Sequence, residues 1–181
     1  MNKVVLITGD LAAGKSTLAD NLSKALNFTC IKKDSVKEII CDSVGFTNRE
    51  ENRRISVAAV NSMILFLEQN LKVGGEVILE ANFRLSEILQ IKELINSYKA
   101  QLFVIYLYGD NKVLYNRFLS RVPTRHKAHL SIGLDKDYNK YVAYVQELRD
   151  QLTGIDCLKL DMTNLSKEEV LEKAIEYINN K

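Results

Sequence analysis

Gly9-Asp10-Leu11-Ala12-Ala13-Gly14-Lys15-Ser16, with Thr17 behind it, fills every fixed position of the GxxxxGK[ST] phosphate loop. An apolar run, Val4 to Ile7, precedes it, and Leu18, Leu22, Ala25 and Leu26 follow at helical spacing. The stretch therefore reads strand, loop, helix, which is the context the motif requires. Gly9 and Gly14 let the backbone turn successive amides inward, and the start of the helix adds unpaired N–H groups and a positive dipole end. Residues Gly9, Asp10, Leu11, Ala12, Ala13, Gly14, Lys15, Ser16 and Thr17 are thus candidate phosphate-binding positions. Lys15 is expected to reach the outer phosphates, and the Ser16 hydroxyl to be a ligand of the magnesium that accompanies the nucleotide.

Outward from the loop, strand-like apolar runs recur at Val4 to Thr8, Phe28 to Ile31, Val77 to Ala81, Leu102 to Tyr108 and Cys157 to Leu160, separated by helical patterns. Such alternation predicts an α/β fold in three layers, a parallel sheet with helices on both faces. Ser35 with Glu38 forms a capping-box pattern for a short helix that Gly45 could end. Val57, Val60, Ile64, Leu67 and Leu71 give a core-facing stripe on a longer helix that stops at Gly74-Gly75. Ile88 to Tyr98 predicts a helix capped by Ser86, and Ser166 with Glu169 a capping box for the last helix. After the fourth strand, Val113, Leu114 and Phe118 continue a helix until Pro123 interrupts it. Arg125-His126-Lys127-Ala128-His129 then lacks periodicity and reads as a mobile connection before Tyr138, Tyr141, Val145, Leu148 and Leu152 restart a helix.

The 181 residues contain one proline and eight glycines and show no repeat or change of composition, which predicts one domain over residues 1–181. With 25 Lys and Arg against 23 Asp and Glu, the formal net charge of +2 disfavours a duplex-binding surface. The N-terminal stretch is too short and too soon polar for a signal peptide, and no apolar run is long enough to cross a membrane, so a cytoplasmic protein without a membrane partner is expected. Three cysteines without CxxC spacing suggest buried, reduced thiols rather than disulfides or zinc. The sequence leaves the oligomeric state open.

Asp34 directly follows the second strand, at the end of a parallel sheet where ligands bind. A carboxylate there can orient and deprotonate an attacking hydroxyl, with Lys37 one turn later holding an acidic substrate group; the alternative is a simple helix cap. Glu80 ends the third strand. It suits either water-mediated magnesium binding or, preferred from sequence, substrate binding with Asn82 and Arg84. Arg117 and Arg121 share a helix face and Arg125 lies just past the proline, an arrangement suited to a lid over about residues 117–137 that neutralises the moving phosphoryl group and excludes water. Arg121 and Arg125 are the candidate catalytic arginines beside Lys15 and Asp34. Arg49, Arg53 and Arg54 cluster at the start of the long helix, Arg53 being a candidate clamp on an acidic substrate. His126 and His129 lack a third metal ligand and suit lid contacts or plain surface.

These residues resemble the small phosphate-loop kinases of the adenylate kinase-like fold, notably the zeta toxin-like, chloramphenicol phosphotransferase-like and polynucleotide kinase-like groups, over nearly the whole chain. Ile7 to Thr17 resembles their nucleotide loop, Lys33-Asp34-Ser35-Val36-Lys37 the segment with the catalytic aspartate, and Val77 to Arg84 the substrate-binding strand and turn. Arg117 to His129 is similar to the arginine-bearing lid, and Leu160-Asp161-Met162-Thr163 to the segment around adenine, which brings Asp161 and Arg117 into the nucleotide site. The resemblance implies strand order 2-3-1-4-5, ATP with magnesium, and transfer of the γ-phosphate to a hydroxyl. Position 37 departs from it: lysine, a point charge, stands where the family often has the forked arginine.

A GTPase would need Asn-Lys-x-Asp, and Asn111-Lys112-Val113 is followed by leucine. A motor ATPase would need an acidic pair closing the third strand, where only Glu80 stands. The expectation is an ATP-dependent kinase acting on a hydroxyl of a small-molecule, nucleotide-like or sugar-like acceptor. The alternatives are a nucleotide-binding regulatory or partner-binding module, and a polynucleotide 5'-hydroxyl kinase.

Overall fold

The computed structural model describes residues 2–180. Strand β1 (Lys3–Gly9) runs into the phosphate loop and helix α1 (Lys15–Leu26). There follow β2 (Thr29–Lys32), α2 (Lys33–Val44), α3 (Arg49–Lys72), β3 (Val77–Glu80), α4 (Leu85–Ser97), β4 (Gln101–Tyr108) and α5 (Asn111–Arg121). A 3₁₀ turn, Val122–Thr124, and a run of turns lead to α6 (Tyr138–Gln151), β5 (Leu158–Asp161) and α7 (Lys167–Asn180). The sheet is parallel throughout, in the order β2-β3-β1-β4-β5 expected of the family.

Alternation along β1 builds both layers. Val5 and Ile7 pack with Leu18 and Leu22 of α1, Phe118 of α5, Tyr141 of α6 and Val170 of α7. Val4 and Leu6 pack on the opposite face with Met63 and Leu67 of α3 and Ile88 and Ile91 of α4. Because both faces are covered, the central strand shows no polar alternation: Val4 to Ile7 are all fully buried. Parallel register aligns the strand ends, setting Lys32 beside Glu80, Ile7 beside Glu80, and Gly9 beside Leu107. The C-terminal edge of the sheet therefore collects the loop, Asp34 and Glu80 on one side of the molecule.

Several local expectations are corrected. Helix α2 begins at Lys33, straight out of β2, so Ser35 lies inside its first turn and the Ser35–Glu38 capping box does not form. Glu38 turns instead to His129. Helix α3 packs through Ile55, Ala59, Val60, Met63, Leu67 and Leu71, whereas Val57 is exposed, because the buried stripe is offset from the one read in the sequence. The N-cap of α4 is Arg84 rather than Ser86, its N–H donating to the Glu87 carboxylate at 2.8 Å. The cysteines carry no disulfide: Cys41 is buried, and Cys30 and Cys157 are half-buried. Among the described residues no helix is long and apolar enough to cross a membrane.

Residues 125–129 are anchored, not loose. Ala128 is fully buried against Cys41 of α2 and Ile55 of α3. Its carbonyl accepts from Asn52 Nδ2 at 3.0 Å and its amide donates to His126 Nδ1 at 3.1 Å. His126 and Lys127 both meet Asp42 of α2, at 3.3 and 2.9 Å, and His129 Nε2 meets Glu38 Oε1 at 2.7 Å.

Candidate active site

The phosphate loop is held in a shape that only part of its sequence can adopt. Gly9 has φ of 133°, and a Cβ there would stand 2.0 Å from the Leu107 carbonyl oxygen, so β4 packs directly on its backbone. Gly14, at φ 88°, makes the left-handed turn into α1. Ala12 is also left-handed, a modest strain tolerated at this site. The first amides of α1 have no partner within the helix and face the cradle the loop encloses.

Lys15 is buried and folds back on the loop, Nζ donating to the carbonyls of Gly9 at 3.1 Å and Asp10 at 2.6 Å. Burial lowers its pKa, while the negative charges of Glu80, Asp34 and Asp10 oppose that shift and Arg121 adds to it. Ser16 Oγ donates to Glu80 Oε2 at 3.0 Å. Burial raises Glu80 above its ordinary value, against the attraction of Lys15. A hydroxyl beside a carboxylate is an all-oxygen donor pair suited to magnesium, which is held through one or two carboxylates plus phosphates and water rather than by a protein cage.

The nucleotide side opens as a cleft of about 300 Å³ lined by Ala12, Gly14, Thr17, Arg117, Arg121 and Met162 among others. Arg117 donates to the Met162 carbonyl at 3.0 Å, fastening α5 to the segment after β5. Asp161 is turned to its own segment, accepting from the Thr163 amide at 2.9 Å; the Thr163 hydroxyl first, and then that amide, hold its carboxyl below the usual range.

Helices α2 and α3 and the turn after β3 carry Asp34, Lys37, Arg53, Asn82 and Arg84, the residues expected from the sequence to meet an acceptor. Asp34 is exposed and caps nothing; its nearest ionic neighbour is His129 Nδ1 at 3.8 Å. Lys37 is buried and spends one donor on Asn52 Oδ1 at 2.9 Å. Desolvation lowers its pKa, with Cys41 and Asp34 opposing. The Tyr144 phenol is raised mainly by burial, and the charges of Arg84, Glu147, Asp34 and Arg125 all reach it. Arg125 lies over the Phe118 ring at 5.3 Å, and Arg84 is exposed at the N-terminus of α4. Asn82 is half-buried after β3, and Arg53 is exposed on α3.

Glu80 stands against Ser16, an arrangement that fits either role read from the sequence, metal or substrate. The Asp10 side chain points away from the cradle: it is fully buried, accepts from Tyr106 at 2.8 Å and is gripped by Arg149. Arg149, Asn52 and Tyr141, which donates to the Leu11 carbonyl at 3.0 Å, were not singled out from sequence.

This arrangement of loop, acid and arginines is matched by a family model, described as AAA domain, over residues 5–143. The chain belongs to the AAA_18 family of AAA domains. The AAA_18 match runs from β1 into α6 and so contains the loop, Asp34, Glu80 and the three arginines. A cytidylate kinase of Alkaliphilus oremlandii is 30% identical over 101 residues, 50% of this chain and 45% of that enzyme. The chain thus matches less than half the length of that curated relative. Among solved structures, a candidate kinase of Chloroflexus aurantiacus superposes with a TM-score of 0.78 at 24% identity, covering 97% of this chain and 98% of that one. A gluconokinase of Sinorhizobium meliloti gives 0.66 at 15%, covering 98% and 92%, and a shikimate kinase of Aquifex aeolicus 0.62 at 14%, covering 98% and 96%. At these identities the likeness establishes the fold, which is that of the small phosphate-loop kinases.

Proposed function

We propose that this protein is an ATP-dependent kinase that transfers the γ-phosphate to a hydroxyl of a small, anionic acceptor, with residues 1–181 acting as one domain and residues 117–137 as its lid. The observation that carries this reading is the position of Asp34. It follows β2 at the C-terminal edge of the sheet, two residues past Lys32, which pairs with Glu80, and shares the start of α2 with Lys37, so it stands beside both the strand end that meets the loop and the lysine expected to meet the acceptor. A carboxylate that is exposed, caps no helix and has His129 at 3.8 Å as its ionic contact keeps oxygen lone pairs open to a ligand and is suited to taking a proton.

The nucleotide supplies the phosphoryl group, and magnesium, when bound, would supply charge neutralisation. Gly9 to Thr17 hold the phosphates through backbone amides, Ser16 and Glu80 would hold the metal, and Arg117 braces the nucleotide cleft. Lys15 leaves its resting carbonyls to meet the phosphates. Asp34 removes the acceptor proton as its oxygen attacks, and Lys15, Arg121 and Arg125 compensate the charge on the transferring group. Lys37, Arg84 and Arg53 orient the acceptor through its anionic group, with Asn82 and Tyr144 as neutral hydrogen-bonding partners. Docking of residues 125–129 on α2 and α3 shields this space from water.

The cytidylate kinase similarity favours a second acceptor, a nucleoside monophosphate. A phosphate acceptor is already ionised and needs no base, so Asp34 separates the two readings. The test incubates the protein with ATP and magnesium against sugar acids, polyols, nucleosides, cytidine monophosphate and 5'-hydroxyl oligonucleotides, with products read by mass spectrometry. A phosphorylated alcohol whose formation falls roughly 10²–10⁴-fold in Asp34→Asn supports the proposal. Transfer only to cytidine monophosphate, indifferent to that substitution, establishes the second reading. Failure to transfer to any acceptor, with ATP still bound, leaves a nucleotide-binding module.

A further inference from the structure

Asp10 places a fully buried carboxylate inside the phosphate loop, where every ligand arrives with several negative charges. Its field already reaches Lys15. Left alone, such a charge would be costly to bury and would repel a triphosphate. The structure answers it with one residue. Arg149, on α6, aims Nε at both Asp10 oxygens at 3.2 Å and brings a second guanidinium nitrogen to Oδ2. That same nitrogen donates to the Gly109 carbonyl at 2.8 Å, and Tyr106 and the Gly109 amide complete the coordination of Asp10 at 2.8 and 3.3 Å. Eight residues earlier on the same face of α6, Tyr141 donates to the Leu11 carbonyl at 3.0 Å. Two consecutive loop residues are therefore fastened to the helix that follows the proposed lid.

We infer that Arg149 is a positioning residue for nucleotide binding: it cancels the Asp10 charge and, with Tyr141, fixes the loop in the shape whose amides accept phosphate. The inference rests on the nucleotide-binding reading above but not on the identity of the acceptor. An ion pair serving stability alone would affect all ligands in parallel with folding. A charge-cancelling pair affects them according to their phosphates.

The test measures adenosine, ADP and magnesium-ATP binding by calorimetry, beside Tm, for the full chain and its variants. Arg149→Gln should weaken ATP on the order of tenfold, ADP less, and adenosine hardly at all. Asp10→Asn/Arg149→Gln should return ATP to within about threefold of the parent, since the orphaned charge is gone. Arg149→Lys, which keeps a cation beside Asp10, should hold ATP within about threefold of the parent, and this variant decides the matter if Arg149→Gln does not fold. Equal losses for adenosine and ATP, a double variant no better than the single, or a tenfold loss in Arg149→Lys with Tm preserved would each overturn the inference. A parent protein that binds no ATP would overturn the functional reading instead.

Discussion

The Ser16 hydroxyl donates to Glu80 Oε2 at 3.0 Å, joining the first turn of α1 to the last residue of β3. Parallel pairing sets the end of β3 beside β1, the strand that feeds the loop, so the contact follows from sheet order. It also brings an acid into a buried place that an isolated domain would gain by leaving apolar.

Glu80→Gln tests that conflict. Burial, partly offset by Lys15, raises the folded pKa of Glu80 above its ordinary value of 4.5. A raised carboxyl is favoured when protonated, so the ionised form costs stability as pH rises above 4.5. The variant should therefore have a higher Tm than the parent at pH 7, the two converging below pH 4.5. Its kcat should fall roughly 10–100-fold as magnesium is held less well. Calorimetric scans across pH, with kinetics over a magnesium series, read both.

Ala128→Asp tests the docking of the proposed lid. The position is fully buried among Cys41 and Ile55, and a carboxylate cannot remain there unpaired. The segment should detach, lowering phosphoryl transfer to the acceptor roughly tenfold or more while acceptor-independent ATP hydrolysis rises. The ratio of ADP released to product formed is the readout. A ratio unchanged from the parent would show that the contact has no part in excluding water.

Cys30 is raised from its ordinary 9.0 to about 11, chiefly by burial and then by Asp20. Its alkylation by iodoacetamide should stay slow at pH 8.5 and accelerate only toward pH 11. Since the folded thiol holds its proton longer than the unfolded one, the stability it contributes should decline as pH rises from about 9 to about 11. Denaturation of Cys30→Ser beside the parent isolates that slope.

Ser166→Ala should cost about 1 kcal/mol. The Ser166 oxygen accepts from the Glu169 amide at 3.1 Å, and the Glu169 carboxylate from the Ser166 amide at 2.8 Å, a complete capping box on α7. For a chain of this size the Tm should drop by about 2–4 °C.

The sheet, the loop and the α7 cap were legible because each is written in neighbouring residues: apolar runs, glycines at fixed spacing, a serine three places before a glutamate. The start of α2 was not, since β2 passes into it with no side-chain cap and Glu38 is claimed by His129, ninety-one positions away. Arg149 and Asn52 were missed for the same reason. Their partners lie 139 and 76 residues off, and no local pattern encodes such a pairing. One signal was present: Arg149 continues the Tyr141, Val145, Leu148 stripe of α6, and an arginine on a buried face calls for an acid to meet it. The position of Glu80 and Asp34 at strand ends marked them as candidates, but the contact of Glu80 with Ser16 needed the register of β3 against β1.

The two ends of the signature answer to different demands. Any side chain at Gly9 would collide with the backbone of β4, whether or not a nucleotide ever binds, so a descendant of this protein that had lost its chemistry would still have to keep that glycine to fold. Asp34 caps no helix and touches the architecture through His129 at 3.8 Å, so on the mechanism proposed above its retention would answer to the reaction more than to the fold. A phosphate loop can thus outlive the reaction it once served, and on that mechanism it is the aspartate across the cleft that would tell working enzymes from retired ones.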